Sequence, residues 1–205
     1  MNLTKEIQRC RKCIDQKLVS SDRLDTSEKP YVRFQVEKKW KPDKVKVLFI
    51  AESPPPKGYF YSLEETGGSS GLQTEVQKYL HLDQSLEEFK ERRYFLLDTI
   101  KCRLNKAKSI KAPLRLAKIS KNCAREFLKR EIDGLRPDTI FVLGKTAKEA
   151  LEQFPDFEEL REHRITDKLD KNLSGYRVIL CVFPGGQTRM HRDKIDQAFA
   201  RIRKQ

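Results

Sequence analysis

No stretch of this chain approaches the length of apolar sequence that crosses a bilayer, and the opening residues, MNLTKEIQRC, contain no apolar signal core. Both absences argue against a membrane or exported protein, so an intracellular, cytoplasmic one is expected. Five cysteines are an odd number, and without an export signal a disulfide framework is a poor explanation for them. Metal or redox use is the better one. Acidic residues are in deficit: 43 Lys+Arg stand against 30 Asp+Glu, a formal charge of +13. That imbalance favours a polyanionic partner, with nucleic acid the leading candidate; thermophile surfaces are also rich in Lys and Glu but tend toward balanced signs. There is no internal repeat. With 205 residues the chain can bury one substantial core, read here as a single domain over 1–205 in which 1–44 form an N-terminal arm.

What is present alternates. VKVLFIAES (45–53) is a β-branched apolar run that breaks at Pro54, Pro55 and Pro56, as a buried strand entering a loop does. YFLLDTI (94–100), DTIFVLG (138–144) and YRVILCVF (176–183) have the same character. Helical patterns lie between them: LQTEVQKYL after a Gly/Ser-rich stretch, NCAREFLKREIDGL before Pro137, and KTAKEALEQF directly after Gly144. The segment HRDKIDQAFARIRK sets Ile195, Ala198, Phe199 and Ile202 on one helical face. ITDKLDKNLSG (165–175) is read as an exposed connection. The pattern predicts an α/β fold, a three-layer α/β/α arrangement around a mostly parallel sheet of about four strands. Ligands of such sheets sit beyond the carboxyl ends of the strands, where this sequence places Glu52, Asp98, Gly144 and Phe183.

The cysteines form a ladder: Cys10 and Cys13 in C-x2-C, then Cys102 and Cys123 separated by twenty residues. Four thiolates suit zinc or an iron–sulfur cluster, although a zinc ribbon would show a second C-x2-C pair. Cys181 lies inside the apolar run VILCVF and reads as core.

Taken in order, C-x2-C, strand-AESPP, DTIKCR, NCAREFL, RPDTIFVLGKTA and a strand ending in FPGGQTRMHRDK resemble the uracil-DNA glycosylase superfamily, above all its branch carrying a 4Fe-4S cluster (family 4-like). The resemblance runs from Cys10 to about Lys194. It implies that Cys10, Cys13, Cys102 and Cys123 ligate the cluster, zinc being the alternative, and that the cluster docks the arm. It also implies excision of a damaged or deaminated base by hydrolysis of its glycosidic bond, with DNA, in single-stranded form among the options, as the partner of a monomer.

Three motifs depart from the family's pattern. Its Gly-Glu-Ala-Pro-Gly is Ala51, Glu52, Ser53, Pro54, Pro55, which keeps the acid. Its pyrimidine-reading Asn is Asp98, which when ionised accepts hydrogen bonds and donates none. Its His-Pro-Ser is Phe183, Pro184, Gly185, without the donor that favours a departing uracil anion. On this reading Glu52 is the catalytic acid group, and Asp98, Tyr59, Phe60, Tyr61 and Phe183 surround a flipped base. Gly185, Gly186, Gln187, Arg189, His191 and Arg192 meet DNA, with Met190 available as a wedge. Ionised Asp98 implies weak activity on uracil. The losses at Asp98 and Phe183 equally suit a catalytically silent relative that binds nucleic acid, and a zinc-stabilised basic domain of unrelated role is the third reading.

Overall fold

The computed structural model describes residues 3–55, 58–62, 71–83, 85–107, 111, 114–185 and 189–203. In chain order, α1 (Leu3–Arg9), α2 (Lys12–Asp15), β1 (Leu24–Asp25), α3 (Pro30–Arg33) and α4 (Val36–Lys39) precede the first long strand, β2 (Val47–Ala51). Then come α5 (Gly71–Leu80), α6 (Leu86–Glu91), β3 (Tyr94–Asp98) and β4 (Arg103–Leu104). Next are α7 (Leu116–Cys123), α8 (Lys129–Leu135), β5 (Thr139–Leu143) and α9 (Lys145–Leu151). The chain closes with the hairpin β6 (Asp170–Leu173) and β7 (Tyr176–Cys181), and with α10 (Arg192–Arg203).

The main sheet runs β3-β2-β5-β7-β6. Its first four strands are parallel, and β6 returns antiparallel along β7. Every residue of β2, β3 and β5 is buried, as expected for parallel strands covered by helices on both faces. The four apolar runs are thus the four parallel strands, and α10 buries Ile195, Ala198, Phe199 and Ile202 as its periodicity requires. The segment read as an exposed connection contains β6, with Asp170 paired to Ile179 and Leu173 to Tyr176. An edge strand with one wet side can be built from Asp, Lys and Asn, which is why composition points to a loop there. Among the described residues no helix is long and apolar enough to cross a membrane.

The arm is anchored more firmly than its polar composition suggests. Ile7, Tyr31 and Val36 are buried in the main core, while Val19 and Leu24 pack with Ile100, Leu104 and Ile119 in a second cluster. β1 pairs antiparallel with β4, Leu24 opposite Leu104. Arg130 clasps Glu6 through two hydrogen bonds, at 2.7 and 3.0 Å. Each fully buried aliphatic side chain contributes about 1.5–3 kcal/mol. These contacts tie the arm to the body of the domain through apolar packing and strand pairing.

The parallel register sets up a site. Ala51 of β2 lies opposite Asp98 of β3, and Ile50 lies opposite Val142 of β5. Glu52, Asp98 and Gly144 therefore emerge side by side at one rim.

Candidate functional site

A pocket of about 690 Å³ opens at that rim, walled in part by Glu52, Tyr59, Phe60, Asp98, Lys106, Thr146 and Phe183. Glu52 is partly buried, and its Oε2 accepts a hydrogen bond from the Thr146 hydroxyl at 2.6 Å. Its Oε1 is ion-paired with Lys106 and lies 3.4 Å from the Ser53 hydroxyl. Thr146 is in place because Gly144 turns the chain from β5 into the first turn of α9. Neither Thr146 nor Lys106 stands out in the sequence; both are brought to Glu52 by the fold.

Gly144 has φ 88° and ψ 168°, a region essentially reserved for glycine. A Cβ there would sit 3.1 Å from the Phe183 Cβ, and one on Gly185 would meet the Phe183 ring at 3.0 Å. The two glycines thus seat the Phe183 ring, which is 37 % exposed at the pocket wall. Gly144→Ala is expected to cost about 1–3 kcal/mol from backbone strain alone. Urea unfolding will measure the loss, and a shift of the Phe183 ring signals will show whether the wall moves.

Asp98 is buried, and its Oδ2 makes no hydrogen bond among the described residues. Burial pushes its carboxyl up to about 7, opposed by the charge of Lys101, reinforced by Glu52 and Glu131, and opposed again by a hydrogen bond from the Tyr59 hydroxyl. A protonated Asp98 donates as well as accepts, whereas an ionised one only accepts, so the role of this side chain turns on its protonation. Beneath it, Lys101 donates to the Asp98 carbonyl at 2.7 Å and pairs with buried Glu131 at 2.6 Å.

The three consecutive aromatics divide. Tyr59 and Phe60 reach the pocket wall. Tyr59 is nevertheless 2 % exposed, committed to Asp98 and stacked on Phe34 of the arm with centroids 5.7 Å apart. Tyr61 lies in the core rather than on that wall; its hydroxyl accepts from the Leu96 N–H at 2.8 Å and donates to the Leu96 carbonyl at 3.2 Å. Phe60 is equally buried and packs on Tyr61 and Phe89, so Phe183 is left as the exposed ring at the pocket. On the proposed DNA side, Met190 is 89 % exposed, Arg192 is exposed, and His191 and Gly185 are half-buried. Gly186, Gln187 and the Arg189 side chain lie outside the described residues.

Cys10, Cys13, Cys102 and Cys123 line one recess between the arm, β4 and α7. The fold thus brings together the four cysteines of the ladder and leaves Cys181 in the core. Among the described residues no group of three or more His, Cys, Asp or Glu is placed to hold a metal ion. Burial raises the thiols of Cys13, Cys102 and Cys123, opposed by Asn122 at the first, Lys29 at the second and Lys101 at the third. As a donor set, four thiols on a common wall fit a cluster or a thiolate-bound metal.

A strand-end pocket with two neighbouring carboxylates accompanies a match to the model of the uracil DNA glycosylase superfamily over residues 38–205. The chain belongs to that superfamily. A search of curated proteins finds no match. Superfamily members act on DNA, in keeping with the basic charge of this one. The matched region begins after Cys10 and Cys13, so the thiol recess is half built from residues outside it.

Proposed function

We propose that this superfamily member is a DNA glycosylase of base-excision repair, which hydrolyses the bond between deoxyribose and a damaged or deaminated base. The observation that carries this reading is the buried, unpartnered Asp98 Oδ2 beside Glu52 in a pocket large enough for a flipped nucleotide. A carboxylate with an open lone pair reads a base edge; a second one, fixed by Thr146, stabilises positive charge on the sugar or orients the attacking water. Phe183 offers a stacking face. Incubation with duplexes and single strands bearing uracil, hypoxanthine, xanthine or alkylated bases should produce abasic sites with at least one of them. Binding without abasic sites would favour a silent relative, the reading supported by the ion pair from Lys106 to Glu52 and by the aromatic ring at Phe183.

The thiol recess is proposed to hold a 4Fe-4S cluster, zinc being the second choice. The order of the cysteine ladder, which resembles the 4Fe-4S branch and has no second C-x2-C pair, favours the cluster over zinc. When bound, such a cluster supplies one-electron chemistry or rigidity; the chain supplies four thiols and their hydrogen-bond donors. Cys102→Ser should abolish most iron and sulfide content, and Cys181→Ser should leave it unchanged. Limited proteolysis of Cys102→Ser should still find the arm protected, because Ile7, Val19 and Leu24 remain buried. Equal metal loss from both variants would contradict the ligand assignment.

A further inference from the structure

Lys29 is 3 % exposed, and its ammonium donates to the Thr26 carbonyl at 2.7 Å. Burying an ammonium without an anion is costly. The carboxylates next to it in sequence are committed elsewhere. Glu28 binds Arg33 and Arg103, each at 3.0 Å, and Asp25, which senses the charge of Lys29, caps the Ser27 N–H at 2.8 Å. The recess wall contains two other lysines, and both have acids: Lys12 pairs with Glu126 and Lys101 with Glu131. Lys29 instead faces sulfur. It lines the recess together with Cys10, Cys13, Cys102 and Cys123, and its charge acts on Cys102 and Cys13.

Two donors point at sulfurs of the recess. Asn122 Nδ2 lies 3.5 Å from Cys13 Sγ, and the Lys101 N–H lies 3.4 Å from Cys123 Sγ. A neutral thiol is a weak acceptor, whereas charge-assisted bonds to an anion are stronger. Two aimed donors and a buried ammonium with no ion pair among the described residues describe a wall shaped for anionic sulfur.

We propose that Lys29 is the fixed counter-charge of the recess, a positioning residue whose ammonium offsets the negative charge of a four-thiolate centre and orients Cys102 as a ligand. The proposal rests on the iron–sulfur reading above and is independent of base excision. It extends the centre to a residue outside the cysteine ladder and outside the region matched to the superfamily.

Wild type, Lys29→Met, Lys29→Gln and Lys29→Arg should be reconstituted anaerobically with ferrous iron and sulfide. Iron, acid-labile sulfide, their rate of loss to a chelator and the reduction potential are then measured. Removing a cation disfavours the added electron, so both neutral variants should show a lower potential and lose iron about 10-fold faster or more. Lys29→Arg should stay near wild type in both. A merely structural lysine would change the melting temperature and leave the potential alone. Wild-type potential and retention in both neutral variants would overturn the proposal. Failure of wild type to take up iron and sulfide would overturn it together with the cluster reading, while leaving abasic-site formation as a separate observable.

Discussion

Replacing Glu52 by Gln is expected to reduce base release by about 100-fold to 10,000-fold while leaving DNA affinity within a few-fold of wild type. Glu52 lies at the carboxyl end of β2, partly buried, with one oxygen fixed by Thr146 at 2.6 Å and the other paired with Lys106. An amide keeps the shape and the Thr146 contact, so the pocket should persist. What it lacks is the charge that stabilises an oxocarbenium-like sugar and the basicity that orients water. Single-turnover kinetics separate the loss of chemistry from the loss of binding. If Glu52→Gln keeps wild-type single-turnover rates, Glu52 is a wall residue and the acidic role belongs elsewhere.

Asp98 should make activity on a keto base depend on pH. With its carboxyl raised to about 7, the neutral form offers an O–H donor and a carbonyl acceptor, the pair that a uracil edge needs. The anion repels carbonyls and accepts from exocyclic amines or ring N–H groups instead. Excision of uracil should therefore fall about tenfold per pH unit above 7, whereas Asp98→Asn should flatten that limb. Stability carries the opposite sign from an ordinary ion-paired aspartate. Between the unfolded value of 3.8 and about 7 the folded chain binds more protons than the unfolded one, so wild type loses stability as pH rises through that window. Asp98→Asn should accordingly gain up to about 4 kcal/mol over wild type at pH 8 and almost nothing at pH 4. Urea titrations at both pH values measure this; a variant equally destabilised at each would show that Asp98 is held ionised by its surroundings.

The parts that could be read from residues alone are those with a local physical cause. Continuous apolar runs mark the four parallel strands, and the face holding Ile195 and Phe199 marks α10. The apolar run around Cys181 suffices to separate it from the four thiols that share a recess. Properties set by tertiary neighbours could not be read that way. The Thr146 contact to Glu52 spans 94 positions and exists only because β2 and β5 are adjacent. The raised carboxyl of Asp98 follows from burial and from the charges of Glu52 and Glu131, against Lys101 and Tyr59, a balance that its sequence context does not reveal. Tyr61 carries the same composition signal as Tyr59, yet the turn closed by the Ser62 N–H on the Tyr59 carbonyl carries Tyr61 to Leu96 in the core. Apolar anchors in the arm are hidden among charges, since Ile7 stands between Glu6 and Gln8.

The most direct test needs no prior choice of lesion. DNA carrying a broad mixture of deaminated and alkylated bases is incubated with wild type and with Glu52→Gln, and the small-molecule fraction is analysed by mass spectrometry for free bases while the polymer is assayed for abasic sites. Free base released by wild type in equal amount to new abasic sites, and strongly diminished with Glu52→Gln, is the expected result. Tight binding of that DNA with neither free base nor abasic sites formed would contradict a base-excising pocket in this protein.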